Sequence, residues 1–200
     1  TFTVFEKILH NNNLKVIDIK LNEINGGSIE FIISKDKNNI TINKNFIKRI
    51  KNDEKKIDYK AFYNFSERIK NIKHDLVSFI RKNHPIFGYG ASTKGNIVLN
   101  YCNINSVEMP YICDANKQKL GKFTPGTNIK ITSKEKARFL NPKYMLVLIW
   151  SFRSEIIKQE LDYLKKGGNL VFHLPKFHII NKKNYKNFIN KDFKNFSYKY

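Results

Sequence analysis

The glycine-rich stretch from Gly88 to Gly95 contains the residue types that could bind an anion. It follows a short apolar run and precedes a segment with helical periodicity, which indicates a strand-to-helix turn. Such a turn presents unpaired N–H groups and the positive end of a helix, which suit a phosphate or another oxyanion. A tight turn that needs glycine dihedrals and binds nothing is the alternative. The candidate binding residues here are Gly88, Gly90, Ala91, Ser92, Thr93, Lys94 and Asn96.

The spacing of these glycines argues against two common nucleotide sites. Thr93 stands where a GxGxxG fingerprint requires its third glycine, and no Gly-Lys-Ser or Gly-Lys-Thr ending of a Walker A loop follows. Asp114 ends the next apolar run, where a Rossmann acid would bind a ribose diol, although an aspartate there can equally cap the following helix. One half of an NAD-dependent oxidoreductase is therefore the least favoured of the alternative functions.

Three other groups of residues are candidates on the same edge of a sheet. Pro125, Gly126 and Thr127 form a Pro-Gly turn that is either a ligand loop or a plain turn. Trp150 and Phe152 could stack on a base or sugar, or could be core aromatics. His173 and His178 lie in or after an apolar run, where a packed histidine is favoured over a catalytic one.

The pattern of apolar residues predicts the elements that would position these side chains. Residues 1–11 have helical spacing, and 14–21 and 28–34 alternate around an Asn-Gly-Gly turn, which predicts a hairpin. Residues 45–82 predict one long helical region with an apolar stripe. From Pro85 onward, short apolar runs alternate with helical segments, which is typical of a parallel sheet with crossover helices. The fold class is α/β: a Rossmann-like parallel sheet with flanking helices, preceded by an N-terminal helix, a β-hairpin and a long helix.

Composition and charge narrow the class of protein. The 200 residues carry a formal net charge of +20, but Lys and Asn are spread along the whole chain and Arg is scarce, so we expect no nucleic-acid partner. Cys102 and Cys113 have no zinc-site spacing, so we expect no metal and two reduced packing residues. We find neither a signal sequence nor an apolar run of membrane length, so we expect a cytoplasmic protein with no membrane partner.

Several of these motifs together resemble a known enzyme family. GYGASTKGNIVLNYC, YICDANKQKLGKFTPGTNIKI and the segment from Met145 to Pro175 occur in the order typical of the C-terminal domain of S-adenosylmethionine-dependent sugar C-methyltransferases. The upstream LKVIDIKLNEINGGSIEFII agrees, so the resemblance covers about residues 1–180. It implies a domain that positions a nucleotide-linked ketosugar, with S-adenosylmethionine bound by a domain outside this chain, present in cis or in trans. In such enzymes a base removes a proton beside a keto group, and the enolate attacks the sulfonium methyl group.

The resemblance also implies the organisation of the chain. Residues 1–40 would end the methyltransferase portion, 41–83 would be a helical connector, 84–180 would form the Rossmann-like domain and 181–200 a basic tail. The family's candidate base lies in a His-containing segment before the residues that match Thr1–Thr3, so it would fall outside this chain. Relatives tend to have His where this chain has Asn25. The chain alone should therefore be inactive, and a noncatalytic module that binds a partner methyltransferase is the alternative.

Overall fold

The computed structural model describes residues 1–22 and 27–190, so Asn25 and the last ten residues of the predicted tail lie outside the described part. The chain divides into two compact units, Thr1–Arg68 and Ile69–Tyr200.

The first unit contains the predicted helix and hairpin. Helix α1 spans Phe2–His10 and begins at Thr1, whose hydroxyl accepts from the Val4 N–H. Strands β1 (Leu14–Asn22) and β2 (Ser28–Lys35) pair antiparallel, with a register shift between Val16 and Asp18. Helix α2 spans Lys44–Glu54. One face of the hairpin and the two helices enclose a small core, whose buried members are Phe2, Leu9, Val16 and Ile19.

The long helical region contains two helices where the sequence predicted one. Helix α2 ends at Glu54 and α3 spans Tyr59–Asn83. Asp58 separates them because its carboxylate accepts from the Ala61 N–H at 2.8 Å, the bond of an N-cap residue, which starts a new helix. Only Leu76 and Ile80 of the predicted apolar stripe are fully buried, both in the second half of α3.

The second unit contains the predicted parallel sheet. Its strands lie in the order β5-β4-β3-β6-β7-β8, and every adjacent pair is parallel except β7 and β8. This is the 3-2-1-4-5-6 order of a Rossmann fold counted from β3, which confirms the predicted fold class. The strands are β3 Phe87–Tyr89, β4 Tyr111–Cys113, β5 Lys130–Thr132, β6 Tyr144–Val147, β7 Asn169–Phe172 and β8 His178–Ile180.

Helices cover both faces of this sheet. Because side chains alternate along a strand, Leu146 and Val171 face one apolar layer while Met145 and Phe172 face the other. The first layer is completed by α3 and α4 (Thr93–Cys102). The second is completed by α5 (Lys134–Leu140), α6 (Arg153–Gln159) and α7 (Leu161–Lys165).

Two features of the second unit differ from the sequence prediction. Strand β8, which the sequence pattern did not predict, pairs antiparallel with β7 at the sheet edge. The helical segment predicted between the last two apolar runs contains two helices, α6 and α7, which are separated at Glu160. Among the described helices, none combines the length and the apolar character needed to cross a membrane.

Candidate functional site

The candidate site lies at the carboxyl ends of β3, β4 and β6. Strands β3 and β6 are adjacent in the sheet, and their connections leave on opposite faces, which makes this pair the topological switch point where open α/β sheets bind ligands. Two contacts join the loops there: Leu148 N–H donates to the Tyr89 carbonyl at 3.0 Å, and Gly90 N–H donates to the Cys113 carbonyl at 2.7 Å. The predicted loops therefore do meet along one edge.

The two glycines before the turn are explained by packing and backbone geometry. Gly88 lies within β3, and a Cβ atom there would come within 2.8 Å of Ile112 and Met109. Gly90 has φ +90°, and a Cβ atom there would come within 2.8 Å of the Ile149 side chain. Gly90 therefore brings the loops after β3 and β6 close together, whereas Gly88 is buried beneath the edge.

The turn after Gly90 presents hydrogen-bond donors. Ser92 is the N-cap of α4, and its hydroxyl accepts from the Gly95 N–H at 3.0 Å. The N–H groups of Ala91 and Thr93 donate to no acceptor within the described part of the chain. Asn96, one turn into α4, has a buried Oδ1 without a partner among the described residues. The Lys94 side chain is exposed on the same first turn.

We expect Ser92→Ala to lower the free energy of unfolding by about 1 kcal/mol, because the Gly95 N–H loses its acceptor at the helix start. Urea unfolding followed by the fluorescence of Trp150, the only tryptophan, measures this. Ser106→Ala, at an exposed serine outside the turn, is the control and should change little. A loss equal to that of the control would contradict the capping role.

Lys119 joins two of the predicted residues and was missed by the sequence analysis. Its Nζ donates to the Ala91 carbonyl at 2.9 Å and lies 3.4 Å from Asp114 Oδ2. The other Asp114 oxygen accepts from the Asn116 N–H at 2.8 Å, and Asn116 caps the short 3-10 helix that follows. Asp114 thus orders its own loop and faces a cation. The signal was weak because Lys119 is one of many lysines in this chain.

The Pro-Gly turn is held against α4. Asn100 Nδ2 donates to the Pro125 carbonyl at 3.1 Å, and Gly126 has φ +77° with its missing Cβ facing the Asn100 side chain. Thr127 is buried, and its hydroxyl lies 2.7 Å from that of Thr124. Pro125 and Gly126 are exposed near the site, whereas Thr127 shapes the turn from inside.

The aromatic residues after β6 are partly accessible. Trp150–Phe152 form a 3-10 turn that leads into α6. Trp150 packs against the second apolar layer and is partly buried, and Phe152 is 41% exposed. Phe152 has the more accessible ring of the two for stacking.

Burial favours the neutral form of two histidines and one thiol in this unit. His173 is buried, and burial lowers its pKa to about 4. Burial, followed by the nearby charge of Glu160, raises the pKa of the Cys113 thiol to about 12. His178 is less buried, stacks between Phe172 and Phe188, and also has a pKa lowered by burial. Both cysteines are buried, as expected for packing residues.

These groups equip the edge to bind rather than to transfer protons. N–H groups without an acceptor and a lysine can hold an anion, and the Asn96 Oδ1 can accept from a hydroxyl. Within the described residues, no group of three or more His, Cys, Asp or Glu side chains is placed to hold a metal ion.

The strand order defines this unit as a Rossmann-like domain. Residues 23–175 match the family described as the C-methyltransferase C-terminal domain. Because this match covers more than half of the chain, the protein belongs to that family, and the resemblance to C-methyltransferases is confirmed.

A curated relative agrees with this assignment. The chain is similar to the C-methyltransferase NovU of Streptomyces niveus, with 28% identity over 184 residues. That alignment covers 89% of this chain but 43% of the relative. The chain therefore spans less than half the length of the curated relative it matches.

Proposed function

We propose that this chain is the substrate-positioning C-terminal domain of an S-adenosylmethionine-dependent methyltransferase that acts on a nucleotide-linked ketosugar. The observation that supports it most is the turn at the switch point, where the N–H groups of Ala91 and Thr93 have no acceptor among the described residues and the exposed Lys94 adds a cation. A diphosphate is the part of such a substrate that these donors suit. Phe152 and the Pro125–Gly126 turn would contact the base or sugar.

The methyl-transfer reaction would need both this chain and a separate cofactor-binding domain. The cofactor, when bound by a separate domain in cis or in trans, supplies an electrophilic methyl group. This chain holds the sugar so that its nucleophilic carbon faces that group, which lowers the entropic part of the barrier. Residues 1–40 would be the C-terminal end of the methyltransferase portion. The catalytic base would lie outside residues 1–200.

Binding of a thymidine diphosphate sugar tests the proposal. Calorimetry of thymidine diphosphate-glucose with the chain, and with the chain plus a cofactor-binding portion, should give a measurable affinity, while thymidine without phosphates should not bind. Lys94→Ala should weaken the affinity about five-fold, the upper range for one exposed charge pair. Lys158→Ala, an exposed lysine on α6, is the matched control and should leave it unchanged.

Two results would overturn this assignment. One is absence of binding even with the cofactor-binding portion present. The other is tight binding of S-adenosylmethionine by this chain alone, which would place the cofactor site inside residues 1–200.

A second candidate function is docking on a partner methyltransferase. It is favoured by the first turns of α3, where Tyr59, Phe62, Tyr63 and Phe65 are all more than half exposed. Large exposed aromatic side chains mark protein interaction sites. We expect Phe62→Ser with Phe65→Ser to abolish co-purification with a tagged cofactor-binding portion, while the control Lys60→Ala retains it. If the serine variant still co-purifies, docking through these aromatic side chains is excluded.

A further inference from the structure

The first unit contains a groove that the proposed sugar site does not use. It has a volume of about 500 Å³ and lies among α1, β1, the segment after β2 and α2. Its apolar floor is formed by Leu14, Val16, Ile42 and Ile47. This volume lies within the range of small-molecule sites, roughly 300–1,000 Å³.

The rim of this groove is cationic. Five lysines line it against two carboxylates, those of Glu6 and Asp36. Glu6 is engaged by Lys51, whose Nζ lies 2.6 Å from Oε2. Lys15 is also engaged, since its Nζ donates to the carbonyls of Asp36 and Asn38 at 2.8 and 2.7 Å.

Three of the five lysines remain available to a ligand. The exposed side chains of Lys7, Lys44 and Lys48 form no ion pair or hydrogen bond with any described residue. Lys7 comes from α1, and the other two come from the first turns of α2, so the cations converge from two elements. The groove thus combines an apolar floor with unmatched positive charge.

We propose that this groove binds a small amphipathic anion, a carboxylate or phosphate ester joined to an apolar body. The apolar part would displace water from the floor, and the anionic head would lie among Lys7, Lys44 and Lys48. A small ligand fits better than a protein surface, because a stable protein interface needs about 800 Å² from each partner. The groove instead is a single concavity within one unit.

Decanoate, below its micelle-forming concentration, is the probe. Added to the full chain, it should shift the methyl NMR signals of Leu14, Val16, Ile42 and Ile47 and leave those of Leu146 and Val171 in place. Acetate, which has the negative charge without the alkyl chain, should not produce these shifts. Decyltrimethylammonium, which has the alkyl chain with a positive charge, should not produce them either. The affinity should fall as salt is raised, because exposed charges are screened.

Two double variants test the cations. Lys7→Ala with Lys48→Ala should weaken decanoate binding about ten-fold, given roughly three-fold for each exposed charge. The matched control is Lys20→Ala with Lys55→Ala, two exposed lysines of the same unit that do not line the groove, and it should bind as the parent does.

Four outcomes would overturn the inference. Equal binding of the cationic amphiphile, or equal loss in both double variants, would remove the role of the three lysines. Shifts that depend on protein concentration without ligand would assign the groove to a second copy of the chain. Shifts with a glutamate- and leucine-rich peptide but not with decanoate would assign it to an acidic protein partner.

Discussion

Replacement of Arg138 by alanine should lower the free energy of unfolding of the second unit by about 2–3 kcal/mol, less than the roughly 3–5 kcal/mol for a fully buried ion pair, because the Arg138 side chain is 40% exposed to solvent. Arg138 binds Glu160 through two bonds, Nε to Oε2 at 2.9 Å and Nη2 to Oε1 at 2.6 Å. The Glu160 side chain is 1% exposed, so without Arg138 a carboxylate would remain in the core with the Tyr89 hydroxyl, 2.9 Å from Oε1, as its main donor. The charge would be buried and largely uncompensated.

This ion pair joins three parts of the fold at one point. Arg138 belongs to α5, Tyr89 ends β3, and Glu160 separates α6 from α7. Its bond to Glu160 raises the pKa of Arg138, and burial together with the Glu160 charge raises the pKa of Tyr89, so one group stays charged and the other neutral at ordinary pH. The loss of unfolding free energy expected for Arg138→Ala is a large part of the total stability of a typical domain, about 5–15 kcal/mol.

Urea unfolding monitored by Trp150 fluorescence measures the effect in the unit that contains the pair. Arg81→Ala, at an exposed arginine of α3, is the control and should change stability by at most about 0.5 kcal/mol. The double variant Arg138→Ala with Glu160→Leu should recover part of the loss, because the buried charge is removed with its partner. A loss below about 1 kcal/mol in Arg138→Ala would mean that water reaches Glu160.

The fold was predictable from the sequence wherever the pattern of apolar residues within one segment was enough to identify the element. Apolar runs separated mostly by helical segments were enough to place β3, β4, β6 and β7, because that alternation is set by burial of both sheet faces. The break between α2 and α3 was missed because the lysines and asparagines around it are compatible with a helix, and only the Asp58 side chain marks the new start. Strand β8 was missed because its three residues become a strand only through pairing with β7.

The candidate site was predictable in outline but not in its connections. Gly90, Ser92 and Asp114 carry local backbone signals, so the turn could be found from residue types alone. Lys119 and Asn100 act across long separations in sequence, through contacts with Ala91 and Pro125, and nothing local distinguishes them from the other lysines and asparagines. The sequence analysis also did not identify two asparagines that end helices. Asn103 and Asn141 adopt the left-handed conformation and are the C-cap residues of α4 and α5.

The second large effect is a loss of stability in acid that comes from His173. This residue follows β7, is 1% exposed, and has no hydrogen-bond partner for either ring nitrogen among the described residues. Burial lowers its pKa from 6.5 to about 4 in the folded state, and the nearby Val147 carbonyl opposes this without restoring the usual value. His178 lies near it and opposes a positive charge on the His173 ring, and Arg153 in turn lies near His178.

The direction of the pH dependence follows from proton binding to His173 in the folded and unfolded states. Between pH 6.5 and pH 4 the unfolded chain protonates this histidine and the folded chain does not, so the free energy of unfolding falls as the pH falls. The stabilisation is fully present above pH 6.5, and a pKa difference of about 2.5 removes about 3 kcal/mol of it once the pH reaches the folded pKa. His178, whose pKa is also lowered by burial, adds a smaller effect of the same sign.

Replacement of His173 by leucine should therefore flatten the pH dependence. Urea unfolding followed by Trp150 fluorescence at pH 7.5 and 4.5 should show a smaller difference in His173→Leu than in the parent chain, by about 2.5 kcal/mol. His74→Gln, at a histidine whose side chain is 81% exposed, is the matched control and should keep the parent difference. If His173→Leu and the control depend on pH equally, the folded protein binds a proton at His173 as readily as the unfolded chain, and burial does not hold this ring neutral.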